Sequence, residues 1–313
     1  MAKKTDEPTS LESIGLAAPA IRVLEGAGFK TLEQLAHARE EEIAKLHGMG
    51  PNAMAILKKE MHQREIDFMR GQFVKVGQLQ MYYEVQGEGQ PLVMLHGGML
   101  QSGVFYKLVP ALAHDHKVIT LDQQGHGRTA DIDRPLDFEQ MADDTAELLE
   151  KLGVKQAVIF GYSEGGCVAL NLAIRHPKLV SKLILGSSVY KLEGYRPEVQ
   201  KGMKTMTAKI IPRQMRYHYQ LVAPQPEKWP ELVEKSAEMA RNWQGIDPEK
   251  LKKLEIPVFV FMADRDYMSE DHGRELASLL GAEFHVLAKS SHTSYLFSPK
   301  KLLEKLTSFL NKK

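Results

Sequence analysis

A single cysteine, Cys167, stands in 313 residues, so no disulfide can form within the chain. No apolar run approaches the roughly eighteen residues of a membrane span. The opening MAKKTDEPTS has no apolar core of the signal-peptide kind. Charge of one sign is missing too: 41 Lys and Arg against 40 Asp and Glu leave a net charge of +1. That balance excludes a chain-wide preference for nucleic acid or an anionic membrane and leaves only a local patch open. There is no G-x-x-x-x-G-K-[ST] and no G-x-G-x-x-G after a strand, so nucleotide binding has no support. These absences predict a protein of a reducing compartment, the cytoplasm, without membrane association. No cofactor and no metal is called for. His114-Asp115-His116 has the residue types of a metal site but reads as a polar loop ahead of the strand-like KVITLD.

What is present is the composition of a globular protein, with 43% hydrophobic and 26% charged residues, enough to bury a sizeable core in one large domain or two. Residues 1–10 are polar and expected to fray. From Leu11 to about Arg70 the pattern is helical throughout. Thr31 and Gln34 have the spacing of a capping box, which predicts a helix start there, and Pro51 follows a glycine turn in the first turn of another helix. From about residue 71 the period changes. QFVKVGQLQMYYEVQGEG reads as two strands in a hairpin-like arrangement. Then PLVMLHGG, KVITLD, AVIFGY, KLILGSS and PVFVFMADRD alternate with helical stretches. Near-continuous apolar strands alternating with helices predict an α/β fold with a mostly parallel sheet covered on both faces. The boundaries are 1–70 for an all-α unit and 71–313 for the α/β domain, with a helical cap over about 190–252. The cap segment is broken by prolines and rich in Met203, Met206, Met215, Tyr217, Tyr219, Trp229, Met239 and Trp243. Most of these are expected to pack against the main domain, with a few lining an apolar substrate pocket.

The chemistry centres on Gly161-Tyr162-Ser163-Glu164-Gly165, a G-x-S-x-G that follows a buried-strand run and precedes the helical CVALNLAIRH. That strand-turn-helix context is what a nucleophile elbow requires, with Ser163 on a sharp turn and its hydroxyl exposed. A serine hydroxyl needs a base to remove its proton, and the base needs an orienting acid. Among twelve histidines, His292 lies in a loop after the strand-like AEFHVL and before the last helix. Asp264 and Asp266 both lie just beyond the end of a strand, so the chain order Ser, Asp, His is available.

With HGG, LDQQGHGRT, GYSEGG, ADRD and SSHTS in this order, residues 72–313 resemble an α/β-hydrolase-fold serine hydrolase with a helical cap. The resemblance implies Ser163 as nucleophile, His292 as base and Asp266 as acid, with Asp264 the fallback. It implies an oxyanion hole from the backbone amides of Glu164 and Gly98, with Met99 an alternative to Gly98. His96 maps to a structural histidine rather than a second base. Met99, Tyr162, Met215, Tyr219 and Trp229 are the candidate pocket residues. The sequence departs from the family pattern twice. The D-x-R-G-x-G-x-S turn appears as Asp122-Gln123-Gln124-Gly125-His126-Gly127-Arg128-Thr129, with Gln124 where the arginine belongs. Glu164 replaces an apolar residue beside the nucleophile, where its carboxylate could act on the histidine, meet a cationic or polyhydroxylated substrate, or point to solvent or a partner.

Residues 14–61 are similar to the helix-hairpin-helix domain at the C-terminus of the RNA polymerase alpha subunit, through LEGAGFKTLEQL and Gly48-Met49-Gly50. In that family the amides after the hairpin contact DNA phosphate. Here the supporting basic residues are largely missing, Asn52 standing where a lysine is expected. Residues 1–70 carry ten Lys and Arg against eleven Asp and Glu. The favoured expectation is an accessory unit that packs on the hydrolase or on a protein partner, with DNA binding the weaker reading.

The expected activity is cleavage of a carboxylic ester or lactone through an acyl-enzyme, the substrate a small molecule, bulky and partly apolar, a macrolide-type lactone among the candidates. Carbon–carbon bond hydrolysis or cofactor-free haloperoxidase chemistry uses the same triad in relatives. A rival of another class is a DNA- or polymerase-associated regulator whose hydrolase fold senses a ligand.

Overall fold

The computed structural model describes residues 8–64 and 66–312, so most of the polar opening stretch lies outside the described residues. Two compact units divide the chain: residues 1–71 with 220–222, and residues 72–219 with 223–313.

The first unit is helical, with α1 (Ala18–Gly26), α2 (Glu40–Ala44) and α3 (Pro51–Gln63) joined by turns. Leu24, Leu32, Leu35 and Leu57 are fully buried. Pro51 opens α3 after Gly50, where its missing N–H has no intrahelical acceptor to lose. The helix expected from Thr31 is only a 3-10 turn, Glu33–His37. Gln34 does reach back, its Oε1 accepting from the amides of Lys30 at 2.5 Å and Thr31 at 3.2 Å. The N-cap, however, is Leu32, which has no side-chain oxygen, so half of the capping box forms and the turn does not propagate.

The second unit holds a sheet of β1 (Gln72–Val76), β2 (Leu79–Gln86), β3 (Gln90–Leu95), β4 (His116–Leu121), β5 (Ala157–Tyr162), β6 (Val180–Gly186), β7 (Val258–Arg265) and β8 (Glu283–Ser291). Its order is β1-β2-β4-β3-β5-β6-β7-β8. β1 and β2 form the expected hairpin, with Val76 opposite Leu79. β2 joins β4 antiparallel, and every later pairing is parallel. Successive residues alternate between two buried clusters. Val93, Leu95 and Ile159 belong to one, and Leu92, Met94, Val158 and Phe160 to the other. Burial on both faces is why these strands read as unbroken apolar runs.

Helices α4 (Val109–Leu112), α5 (Phe138–Lys151) and α6 (Glu164–Arg175) precede the cap. The cap contains α7 (Pro197–Lys204), α8 (Arg213–Val222), α9 (Trp229–Asn242) and α10 (Pro248–Leu251), between β6 and β7. After β7 come α11 (Glu270–Leu279), α12 (Ser294–Phe297) and α13 (Lys300–Leu310). The α9 residue Lys235 ties the cap to the main domain: its Nζ donates to Asp131 Oδ2 at 2.5 Å and to the carbonyls of Ile132 and Arg134.

The carboxyl ends of β5, β6 and β7 converge on one edge, where an open parallel sheet presents its site. Two glycines let the chain fold there. A Cβ on Gly161 would meet Gly165 O and Gly166 Cα, each at 2.5 Å. One on Gly165 would meet Leu95 O at 2.3 Å. Both obstacles are backbone and cannot swing aside. Gly161→Ala is therefore expected to destabilise the second unit by about 2–4 kcal/mol, read as a lowered midpoint in urea unfolding. An unchanged midpoint would show that the elbow can relax.

Candidate active site

Ser163 sits between β5 and α6 at φ 54° and ψ −123°, a conformation that costs a non-glycine residue free energy. Its amide donates to Gly186 O at 2.8 Å, and Gly166 N returns to its carbonyl at 2.9 Å. Held this way, the side chain turns toward His292, whose Nε2 lies 3.1 Å from Ser163 Oγ. On the far side of the ring, His292 Nδ1 lies 2.6 Å from Asp266 Oδ1. Tyr162 Oη donates to His292 O at 3.1 Å, and the Tyr267 ring stacks on the imidazole at 4.2 Å between centroids.

Asp266 and Asp264 have separate surroundings. Asp266 is buried, and its Oδ2 accepts from Ser187 Oγ at 2.5 Å and Ala263 N at 2.8 Å, while Oδ1 also takes the Tyr267 amide at 2.7 Å. Burial by itself would raise this carboxyl, but the hydrogen bonds from His292, Ser187 and Ala263 outweigh it and hold the group below the ordinary range. Tyr295 Oη in turn donates to Ser187 Oγ at 2.6 Å. Asp264 instead accepts from the amides of Lys289 and Ser290 and braces the end of β8.

The loop after β3 lies against the elbow. A Cβ on Gly97 would come within 3.0 Å of Ser163 Cβ. Among the described residues, the amides of Gly98, Met99 and Glu164 have no acceptor, so N–H groups of the loop after β3 and of the start of α6 have nothing to donate to, and Met99 stays open beside Gly98. Unpaired, pre-set donors of this kind are what an oxyanion requires. His96 is occupied elsewhere: Nδ1 donates to Gly97 O at 2.8 Å and Nε2 accepts from Gln123 N at 3.1 Å. Desolvation lowers it to about 4, so it is neutral and structural at ordinary pH.

The loop departure at Gln124 is absorbed locally. Its Nε2 donates to Asp131 Oδ1 at 2.8 Å and Arg134 O at 2.9 Å, and its Oε1 accepts from Arg134 Nε at 2.7 Å. Arg134 supplies a guanidinium to the turn from a neighbouring position.

A small cavity of about 10 Å³, about the room one water needs, lies beside Glu164, lined from α6 by Cys167 and from the cap by Leu192, Met203, Met239, Ala240 and Trp243. Phe138 and Tyr195 complete its wall. None of the five residues expected from sequence lines it. Tyr162 is buried beneath His292, and Tyr219 and Trp229 pack on each other with centroids 5.3 Å apart. Met215 packs on the hydrophobic core, as does Met99, which holds a positive φ of 56°. The cap's aromatic and methionine content does not distinguish packing from lining, and the aromatic residues singled out are all buried. Tyr195 was missed altogether. Its buried hydroxyl lies beside Ser163, and desolvation pushes it well above the usual phenol range. Ser187 was missed as well, although it follows KLILG at the carboxyl end of β6, the edge at which a polar residue meets the site.

Glu164 is the electrostatic exception. Its carboxyl makes no hydrogen bond or ion pair among the described residues, and desolvation raises it from 4.5 to about 7.

Comparison with known proteins bears on the same region. A family model described as the alpha/beta hydrolase fold matches residues 90–223. The pimeloyl-[acyl-carrier protein] methyl ester esterase of Nitrosospira multiformis is 25% identical over 273 residues, 75% of this chain and 99% of its own. An uncharacterized hydrolase, YraK, of Bacillus subtilis is 29% identical over 145 residues, 42% of this chain, which spans 54% of that relative's length. The solved structure of Est816, described as an N-acyl homoserine lactone degrading enzyme, superposes with a TM-score of 0.63 at 26% identity, covering 76% of this chain and 99% of that one. The fold is that of the alpha/beta hydrolases, and these similarities support an enzyme with hydrolase activity.

The unpartnered Glu164 gives a pH signature. Between pH 4.5 and about 7 the folded chain holds a proton at this site that the unfolded chain releases. Stability from this group is therefore complete below pH 4.5 and declines as pH rises to about 7. Glu164→Gln is expected to be more stable than the parent at pH 8 by about 1–3 kcal/mol, with the gap closing near pH 4.5. Urea unfolding at the two pH values measures it, and a gap independent of pH would contradict the shift.

Proposed function

We propose that the chain is a serine hydrolase acting on a carboxylic ester or lactone of a small molecule. The observation that carries this reading is the unbroken line from Ser163 Oγ through His292 to Asp266, with 3.1 Å and 2.6 Å contacts, beside two amides that have no other acceptor. Ser163 Oγ attacks the carbonyl carbon while His292 Nε2 takes its proton. The carbonyl becomes an oxyanion, which the Gly98 and Glu164 amides receive. Asp266 fixes Nδ1–H and balances the imidazolium. Collapse breaks the carbon–oxygen bond to the leaving alcohol, which takes the proton from Nε2. Water then gives a proton to His292 and attacks the acyl-enzyme, releasing the acid and restoring Ser163 with that proton.

Ser187 and Tyr295 enter as positioning residues, since their hydroxyls form a chain of donors ending on Asp266. The N-terminal unit stands outside the chemistry as an accessory module. Its balance of ten basic and eleven acidic residues supports no nucleic-acid role.

Ser163→Ala is expected to lower kcat on a p-nitrophenyl ester by at least about 10³-fold and to abolish labelling by an active-site phosphonate. Absence of labelling in the parent would end the serine hydrolase reading. Ser187→Ala is expected to cut kcat by about tenfold with little change in KM and to raise the acid limb of the kcat profile. A pure KM effect would remove it from the positioning role.

A further inference from the structure

The ring of Tyr267 has no part in the chemical steps above, yet it lies on the base. Its centroid is 4.2 Å from that of the His292 imidazole and the two planes are 21° apart, so the rings are stacked. Tyr267 is 51% exposed. A tyrosine with half its surface in water gains little from burial, so core packing does not account for its place. Tyr162 also borders the imidazole, at 5.3 Å and tilted by 40°, but it is buried and its hydroxyl donates to His292 O. His292 is buried while the ring stacked on it is half-exposed, so Tyr267 stands between the imidazole and water.

The segment that carries the ring is braced from both sides. The Tyr267 amide donates to Asp266 Oδ1 at 2.7 Å, the same oxygen that meets His292 Nδ1. Its carbonyl accepts from Arg196 N at 2.9 Å, Ser269 N donates to Gly194 O at 2.9 Å, and Tyr195 bridges Met268 in antiparallel fashion. Met268 itself is fully buried. Acid and ring are thus carried by one braced turn, and the contact that holds Nδ1 also sets the ring against the imidazole.

The reaction changes the charge under that ring. As base, the imidazole is neutral before it takes the Ser163 proton and cationic until it gives that proton away. An aromatic face carries negative charge density and attracts a cation more than a neutral ring. An interaction that strengthens as charge develops lowers the barrier instead of only tightening the resting state. The other groups around the base act differently. Asp266 meets its Nδ1 edge as a carboxylate, and the Tyr162, Tyr195 and Tyr295 phenols lie well above their usual range and stay neutral. Glu164, the residue after Ser163, titrates at about 7.

We propose that Tyr267 is a positioning residue for the base: its ring holds the His292 imidazole in line with Ser163 Oγ and stabilises the imidazolium that forms during acyl transfer. The proposal rests on the serine hydrolase reading and deepens it. Tyr267→Phe keeps the ring face, whereas Tyr267→Leu removes it and keeps an apolar cover. On a p-nitrophenyl ester, Tyr267→Leu is expected to lower kcat by about 3- to 30-fold with KM little changed, and Tyr267→Phe to stay within about twofold of the parent. With the imidazolium less stabilised, the acid limb of the kcat/KM profile moves to lower pH by about 0.5–1.5 units in Tyr267→Leu and stays in place in Tyr267→Phe. The same shift is expected in a Glu164→Gln background, where that carboxyl no longer titrates. NMR titration of the His292 ring nitrogens, assigned with His292→Gln, is expected to move in parallel and reads the ring without turnover. Tyr267→Met, a second cover without an aromatic face, repeats the test should Tyr267→Leu lower the urea midpoint. An unchanged kcat in Tyr267→Leu, an equal loss in Tyr267→Phe, an effect on KM alone, or a titration that stays or moves to higher pH each overturns the role. Phosphonate labelling of Ser163 in the parent then leaves the hydrolase reading standing. A parent that is neither labelled nor active removes the hydrolase reading and this role together.

Discussion

The strained backbone at Ser163 is the constraint on which the rest of the site depends. A serine at φ 54° persists only where its surroundings over-determine it. Here they do so from three directions. The β6 carbonyl of Gly186 takes its amide, Gly165 presses on the Leu95 and His96 carbonyls, and Gly161 lies against the first turn of α6. Each contact needs a residue without a side chain at one position. Together they aim Oγ away from the sheet and free the Glu164 amide at the start of α6. The same compression brings Gly97 and Gly98 against the elbow, so the Ser163 hydroxyl, the unpaired amides and the Glu164 carboxylate are all placed by one turn.

Two carboxylates near that turn meet opposite fates, and the difference lies in their donors. Asp266 is more deeply buried than Glu164, yet it is held below the ordinary carboxylate range because Ser187, Ala263, Tyr267 and His292 all bring hydrogen atoms to it. Glu164 receives none and rises to about 7. Burial therefore decides little until the donors are counted. A fully satisfied carboxylate suits a fixed charge that orients an imidazole.

The strands, their mostly parallel character and the glycine turns were legible in the sequence because each rests on a local signal, whereas the strand order came only with the structure. Continuous apolar runs mark doubly covered strands, and the glycines at 161 and 165 mark close backbone approach. The order of Ser163, Asp266 and His292 follows the chain itself. The choice between Asp264 and Asp266 came only with a resemblance: both read as lying just beyond a strand, whereas Asp264 is still within β7 and Asp266 follows its end, and their hydrogen bonds to β8 or to His292 are long-range. The pocket was not legible. Tyr219 and Trp229 have the same composition signal as Met203 and Trp243, and only tertiary packing separates filler from wall. The helix expected at Thr31 failed for a local reason, a leucine at the N-cap, that a spacing rule alone does not register.

The departure at Gln124 shows how loop and cap are joined. An arginine in the middle of that turn would carry its own charge. Gln124 instead binds Arg134 from both ends of its amide, and Arg134 pairs with buried Asp144 at 2.5 Å. The carbonyls of Ile132 and Arg134 and the carboxylate of Asp131 are thereby held in one cluster, and Lys235 of α9 donates to all three. The Lys235–Asp131 pair is largely buried, so breaking one partner would leave a charge without compensation. Cap position, and with it the wall formed by Met239 and Trp243, is in this way tied to the turn that follows β4. The shape of that cavity would then respond to changes in that turn even though none of its residues lines it.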